Sequence, residues 1–221
     1  MRTAMTTLIL PGHATVPQVP DAVPVWLPSG RVVSLRPLHH GERDPLLTVF
    51  DGMSSASRAQ RYFTGLVRLP PSMLAPLTDV DGHRHVAWLA SLERRPVGIA
   101  RLVRDGDRVA EVAVEVVDDH HGQGIGSVLM DAVTTVAAAL GVTRVRASLT
   151  PDNEPSRRLV TRIGVRLRLV DQLLEGEGPL RLVDPARVDR EAVLALASRG
   201  AAAHDPSTGP QRNLNGLARG W

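Results

Sequence analysis

Apolar and polar positions alternate with a period of two over residues 109–117. Val112, Val114 and Val116 point one way while Glu111, Ala113 and Glu115 point the other, the mark of a strand with two unlike faces. At Gly124 the period changes to that of a helix: Ile125, Val128, Leu129, Ala132, Val133, Val136 and Leu140 form a core-facing stripe that Gly141 ends. Between the two elements stand Gly122, Gly124 and Gly126. Glycines let a ligand approach the backbone, and the first helical turn offers unpaired N–H groups at the positive end of the helix dipole. Strand, glycine turn and helix start together predict a phosphate site.

The same reading extends both ways along the chain. Residues 31–38 alternate as a first strand, and residues 41–77 carry short helical patterns broken by Gly and Pro, around Leu46 to Phe50, 57–63 and 72–77. His85 to Leu92 and Pro96 to Val103 form a hairpin about Glu93-Arg94-Arg95, and Asp105-Gly106 turns the chain into the strand at 109–117. Arg144 to Leu149 follows the crossover helix, so it should pair parallel to that strand. A short helix spans Ser156 to Ile163, stopped by Gly164; a closing hairpin uses 165–173 and 180–183, with Glu175 to Gly178 as its turn. The order predicts a mixed α/β fold: a central, mostly antiparallel sheet with one parallel pair, flanked by helices. Residues 1–25, with Pro11, Pro17, Pro20 and Pro24, read as a flexible N-terminal arm, 26–183 as the domain, and 184–221 as an extension with one helix, Arg190 to Ser198, and then a disordered tail.

Composition narrows the function. No run reaches the roughly 18 consecutive apolar residues of a membrane span, and the N-terminus has too short an apolar run for a signal peptide, which predicts a cytoplasmic protein with no membrane partner. Cysteine is absent, so thiol nucleophiles and thiolate metal sites are excluded. Lysine is absent too, and all 26 basic residues are arginine. The pI of about 10.7 therefore reflects a formal charge of only +3 that nothing titrates away below very high pH. The arginines are dispersed and aromatics make up 3% of residues, which leaves neither a basic stripe nor a stacking platform for nucleic acid. The pairs His39-His40 and His120-His121 lack a carboxylate at ligand spacing and read as surface histidines, with no metal expected. A dinucleotide fold would want an acidic residue about 20 positions after the glycines, where Arg144 and Arg146 stand instead.

The element order and the local residues resemble the GCN5-related N-acetyltransferase (GNAT) superfamily. Its acetyl-CoA signature, Arg/Gln-x-x-Gly-x-Gly/Ala, is matched by His121-Gly122-Gln123-Gly124-Ile125-Gly126, with His in the first place. Asn153 through Gly164 looks like the family's Asn-headed helix, with Val165 in place of Phe. The resemblance covers about residues 30–183. Within it, Gly30 to Leu38, Ser57 to Phe63, His83 to Ala90 and Ala110-Glu111 look like bacterial protein-lysine acetyltransferases of the Pat type.

The resemblance implies a GNAT-type fold whose parallel strand pair is splayed, and transfer of an acetyl group from acetyl-CoA to a primary amine, most simply a protein lysine. It implies Glu111 as general base and a backbone N–H near Val112 as oxyanion donor. Pantetheine would bond to Val116 and Val117. The diphosphate would lie over His121, Gly122, Gln123, Gly124, Ile125, Gly126 and Ser127, with Asn153 and Ser156 touching the cofactor from the other side. Many relatives carry a Tyr general acid where this chain has Val160, and Tyr62, the only tyrosine, is a substitute candidate. Two further readings stand beside this one: a non-catalytic acyl-CoA-binding or sensor module, and an acetyltransferase of small amines. The protein is expected as a monomer or homodimer.

Overall fold

A computed structural model describes residues 21–202. Eight strands form one sheet in the order β1-β2-β3-β4-β5-β6-β8-β7. They are β1 (Val23–Trp26), β2 (Val32–Pro37), β3 (His85–Leu92), β4 (Arg95–Asp105), β5 (Val109–Val116), β6 (Arg144–Leu149), β7 (Arg166–Val170) and β8 (Leu173–Pro179). Every neighbouring pair is antiparallel except β5 with β6. The sheet is thus the mostly antiparallel one expected, with its single parallel pair at the crossover.

The helices cover both faces. On one side α1 (Asp44–Asp51), α2 (Ser55–Tyr62) and α3 (Pro71–Thr78) bury Leu46, Val49, Phe50, Tyr62 and Leu77 against Ala87, Leu89 and Ile99. On the other, α4 (Ile125–Ala139) lays Leu129, Ala132, Val133 and Val136 against Trp88, Ala100, Leu102 and Val112. That packing uses the alternation of β5: Val112 goes to the α4 side and the glutamates to the α2 side. The short α5 (Glu154–Arg162) follows β6.

Two segments placed outside the domain are fastened to this body. The strand β1 straddles the boundary placed at residue 25; Val23 and Val25 are buried in the α4-side core and β1 pairs with β2 from Val23 to Trp26. The C-terminal helix α6 (Arg190–Ala202) runs past Ser198 and packs on α4 and β2, with Val193 and Leu196 buried. The expected arm before residue 21 and tail after residue 202 lie outside the described residues.

The closing hairpin differs from the sequence expectation. Its turn is not Glu175 to Gly178, which lies inside β8, but Asp171-Gln172, both at positive φ (44° and 74°) as a two-residue hairpin loop demands. The glycines of β8 serve close approach instead: a Cβ on Gly178 would sit 1.8 Å from the carbonyl oxygen of Gly164, and one on Gly176 2.2 Å from that of Arg166. Gly178→Ala is accordingly expected to cost about 2–4 kcal/mol, read as a lowered midpoint in thermal or urea unfolding. An unchanged midpoint would contradict the close approach.

Candidate functional site

The parallel ladder between β5 and β6 is short. Its register runs Val109↔Arg144, Ala110↔Val145 and Glu111↔Arg146 and then stops, while β6 continues beside β8 to Leu149. Beyond Glu111 the two strands part, and the gap is the fork implied by the family resemblance. The N–H of Val117 donates to the carbonyl of Val97 at 2.9 Å, so the backbone groups of odd-numbered β5 residues face β4. Those of Val114 and Val116 therefore face the gap.

A cleft of about 730 Å³ runs from this fork to the start of α4. Its walls include Glu111, Val112, Val114 and Val116 of β5, His121, Gly122, Gly124, Ile125, Gly126 and Ser127 of the loop and helix start, and Asn153 and Ser156 of α5. Gly124 caps α4 at φ 91°, and no side chain caps the helix, so the first-turn N–H groups open toward the cleft. A Cβ on Gly126 would come within 3.0 Å of Leu159 and narrow the passage. This glycine cradle at a bare helix start, next to backbone groups facing the gap, fits the diphosphate and the amide-bearing arm of an acyl-CoA.

Two expected contacts fall elsewhere. Val117 is buried against the α1 side, with its N–H bonded to Val97, so it offers no amide to the gap. Gln123 turns outward: its amide donates to the Asp119 carbonyl at 3.1 Å and its Oε1 accepts from Arg31 at 3.5 Å. Neither lines the cleft. His121, in the place of the usual Arg or Gln, has Nε2 at 2.8 Å from the Val116 carbonyl. The Oδ1 of Asn153 accepts from the N–H of Ser156 at 3.1 Å and caps α5, which leaves its NH₂ to reach a ligand.

Glu111 stands where the cleft meets a second cavity. That cavity, of about 960 Å³, lies over β6, β8 and β7, and Glu111, Arg146, Ser148, Glu175, Arg168 and Phe63 are among its walls. The Glu111 side chain is 11% exposed. Burial pushes its pKa up to about 7, against the pull of Arg146, whose Nε lies 3.4 Å away. A carboxylate titrating there is a usable base near neutral pH.

Glu115, four residues on, is no surface residue. It is 4% exposed and accepts from the hydroxyl of Tyr62 at 2.7 Å, with Arg61 at 3.3 Å and Arg101 at 3.8 Å. Tyr62 is thereby taken out as a general acid: burial, and then Glu115, push its pKa far up, and it does not line the cleft. Val160, where relatives carry a Tyr, lines the cleft from the apolar side. Arg61, Arg146, Asp105 and Phe63 are the site residues that sequence reasoning passed over. For Arg146 the signal was present, since a parallel register starting at Val109↔Arg144 puts it opposite Glu111.

Among the described residues no group of three or more His, Asp or Glu side chains could hold a metal ion, and no helix is long and apolar enough to cross a membrane.

Residues 55–165 match the model of the Acetyltransferase (GNAT) family. Acetyltransferase Pat of Mycolicibacterium smegmatis is 34% identical over 147 residues, 64% of this chain and 44% of that protein. A Pseudomonas aeruginosa acetyltransferase is 30% identical over 145 residues, covering 62% of this chain and 77% of its own length. Among solved structures, the GNAT domain of S. lividans PAT aligns with a TM-score of 0.67 at 24% identity, over 72% of this chain and 97% of that one. A cAMP-binding acyltransferase from Mycobacterium smegmatis aligns at 0.58 and 28% identity, over 82% and 55%. The chain thus spans under half of the first relative's length.

Proposed function

Because this chain belongs to the GNAT acetyltransferase family, we propose that it transfers the acetyl group of acetyl-CoA to the side-chain amine of a protein lysine, with Glu111 as general base. The observation that carries this reading is the position of Glu111 at the junction of two cavities, its pKa pushed up to about 7. One cavity suits the cofactor and the other leaves room for an acceptor arm beside Phe63. The name and likeness of the Pat relative support a protein acceptor.

Acetyl-CoA supplies an activated thioester. The rest falls to this chain. The gap-facing amides of Val114 and Val116 would hold the pantetheine arm in extended form. The first-turn N–H groups at Ile125 to Ser127, with Gly122, Gly124 and Gly126, would receive the diphosphate, with His121, Asn153 and Ser156 around it. Glu111 would take the proton of the alkylammonium, directly or through a water, and so free the amine lone pair. A backbone N–H at the fork, near Val112, would meet the negative charge that develops on the carbonyl oxygen. With Val160 in place of an acid, the departing thiol, whose pKa is about 8.5, leaves as thiolate.

The test is CoA release and acetyl incorporation across protein lysine, free amino-acid and polyamine acceptors. Since the chain has no lysine, any acetyl-lysine signal belongs to the acceptor. We expect transfer to protein lysine, with kcat/KM rising as pH passes through about 7, because the deprotonated form of Glu111 is the active one. Turnover confined to small amines would move the acceptor class. Acetyl-CoA binding with no turnover would point to an acyl-CoA sensor, a reading that the Val116 carbonyl held by His121 and the apolar Val160 favour.

A further inference from the structure

Glu111 and Arg146 form the last rung of the parallel ladder, so their side chains leave the sheet on the same face. Arg146 is shared. Its Nη1 lies 2.8 Å from Asp105 Oδ2, at the end of β4, while its Nε lies 3.4 Å from Glu111 Oε2. The closer partner is the aspartate. One guanidinium thus stands between the reacting carboxylate and a second carboxylate at the sheet's end.

We propose that Arg146 is a positioning residue whose division between Glu111 and Asp105 sets the protonation state of the base and hence the pH window of turnover. The proposal rests on the reading of Glu111 as base.

The charged groups facing Glu111 come from three elements, Arg146 of β6, Arg61 of α2 and Glu175 of β8, while Asp105, at the end of β4, faces Arg146. Glu115, on β5 itself, is tied to Tyr62, Arg61 and Arg101. Burial favours the neutral acid and Arg146 favours the carboxylate. Burial wins, which leaves the group at about 7, well above the ordinary carboxylate value. Asp105 decides how strongly Arg146 opposes it. A guanidinium held tightly on Glu111 would give a permanently ionised, weakly basic carboxylate. One held wholly by Asp105 would leave a neutral acid that cannot accept a proton at physiological pH. The planar guanidinium can serve two carboxylates at once, which an ammonium does less well.

The two neighbours should therefore act with opposite signs. In Arg146→Gln the desolvation of Glu111 loses its main counterweight and its titration midpoint moves up. In Asp105→Asn a negative charge is removed and Arg146 turns to Glu111, so the midpoint moves down. Both groups are partly exposed, at 33% and 45%, so each shift should be about half to one pH unit. Arg146→Lys keeps the charge, should fall between wild type and Arg146→Gln, and serves if Arg146→Gln does not fold.

The midpoint is read without turnover, by carboxyl ¹³C NMR of the full chain labelled at glutamate, the Glu111 signal being identified by its loss in Glu111→Gln. It is read again in the pH profile of kcat/KM at saturating acetyl-CoA. Opposite movements in both readouts are the expected result. Shifts of the same sign, or an unmoved Glu111 midpoint with lowered stability, would reduce Arg146 to a clip between strands and overturn the proposal. Should the NMR midpoints move as stated while no acceptor is acetylated, the proposed function fails and the electrostatic coupling stands.

Discussion

Glu111→Gln is expected to lower turnover by ~10²–10⁴-fold while leaving acetyl-CoA binding unchanged, the size of effect that loss of a general base produces. The substitution is nearly isosteric, keeps the side chain at the junction of the two cavities and removes only the proton-accepting oxygen. The cradle at Gly122 to Ser127 lies beyond the far end of β5 and does not depend on it. Calorimetric titration with acetyl-CoA beside initial rates separates the two effects. The pH dependence supplies a second check: the wild-type rise through about pH 7 should be missing from whatever activity Glu111→Gln retains. Turnover within a few-fold of wild type would remove Glu111 from the mechanism. Equal losses of binding and rate would mean that it shapes the cleft instead.

Asp131→Ala is expected to have a large effect on stability. Asp131, on α4, is fully buried, and its two oxygens hold the segment that leads into α6. The Oδ2 accepts from the N–H groups of Arg187 (2.5 Å) and Val188 (3.1 Å), and the Oδ1 from Arg190 Nη2 (2.8 Å) and Nε (3.2 Å). Truncation to alanine leaves two backbone donors and a guanidinium without that acceptor. The Arg190 side chain is 30% exposed and recovers some hydration, so the low end of the range for a broken buried pair applies, about 3 kcal/mol, or a fall in Tm of roughly 10 °C. Asp131→Asn, which keeps one acceptor oxygen, should lose less. A Tm within a degree or two of wild type in Asp131→Ala would mean that α6 is held by Val193 and Leu196 alone.

The sequence made the centre of the molecule readable because local pattern and long-range role coincide there. The period-two run of β5, the glycine turn and the stripe of α4 each follow from neighbours in the chain, and the crossover rule turns them into a parallel pair. Where the determinant is distant, the reading failed. Gly176 and Gly178 look like a turn, and only the facing backbones of Arg166 and Gly164 show that they exist for close approach. Val23 and Val25 lie among prolines, and nothing local says that β2 would pair with them. Glu115 has the same alternation as Glu111, yet its partners, Tyr62, Arg61 and Arg101, come from α2 and β4. Val117 sits shortly before the motif that marks the cofactor loop and Gln123 inside it, but a motif fixes positions and not directions. One points its amide at Val97 and the other its side chain at Arg31.

The parting of β5 and β6 has a consequence for cooperativity. Along the ladder, the strands β6, β8 and β7 join the rest of the sheet only through the rungs at Val109, Ala110 and Glu111, beyond which side-chain packing of Val145, Ala147 and Leu149 in the α4-side core connects the two blocks. Few shared bonds between two blocks allow them to open as separate units, with free energies below that of global unfolding. An opening of that kind would pivot on the last rung, where Glu111 and Arg146 stand. An extended ligand bonded along the β5 edge and packed against α5 would work as a brace across the two blocks. Cofactor occupancy would then be felt as a change of spacing at Glu111.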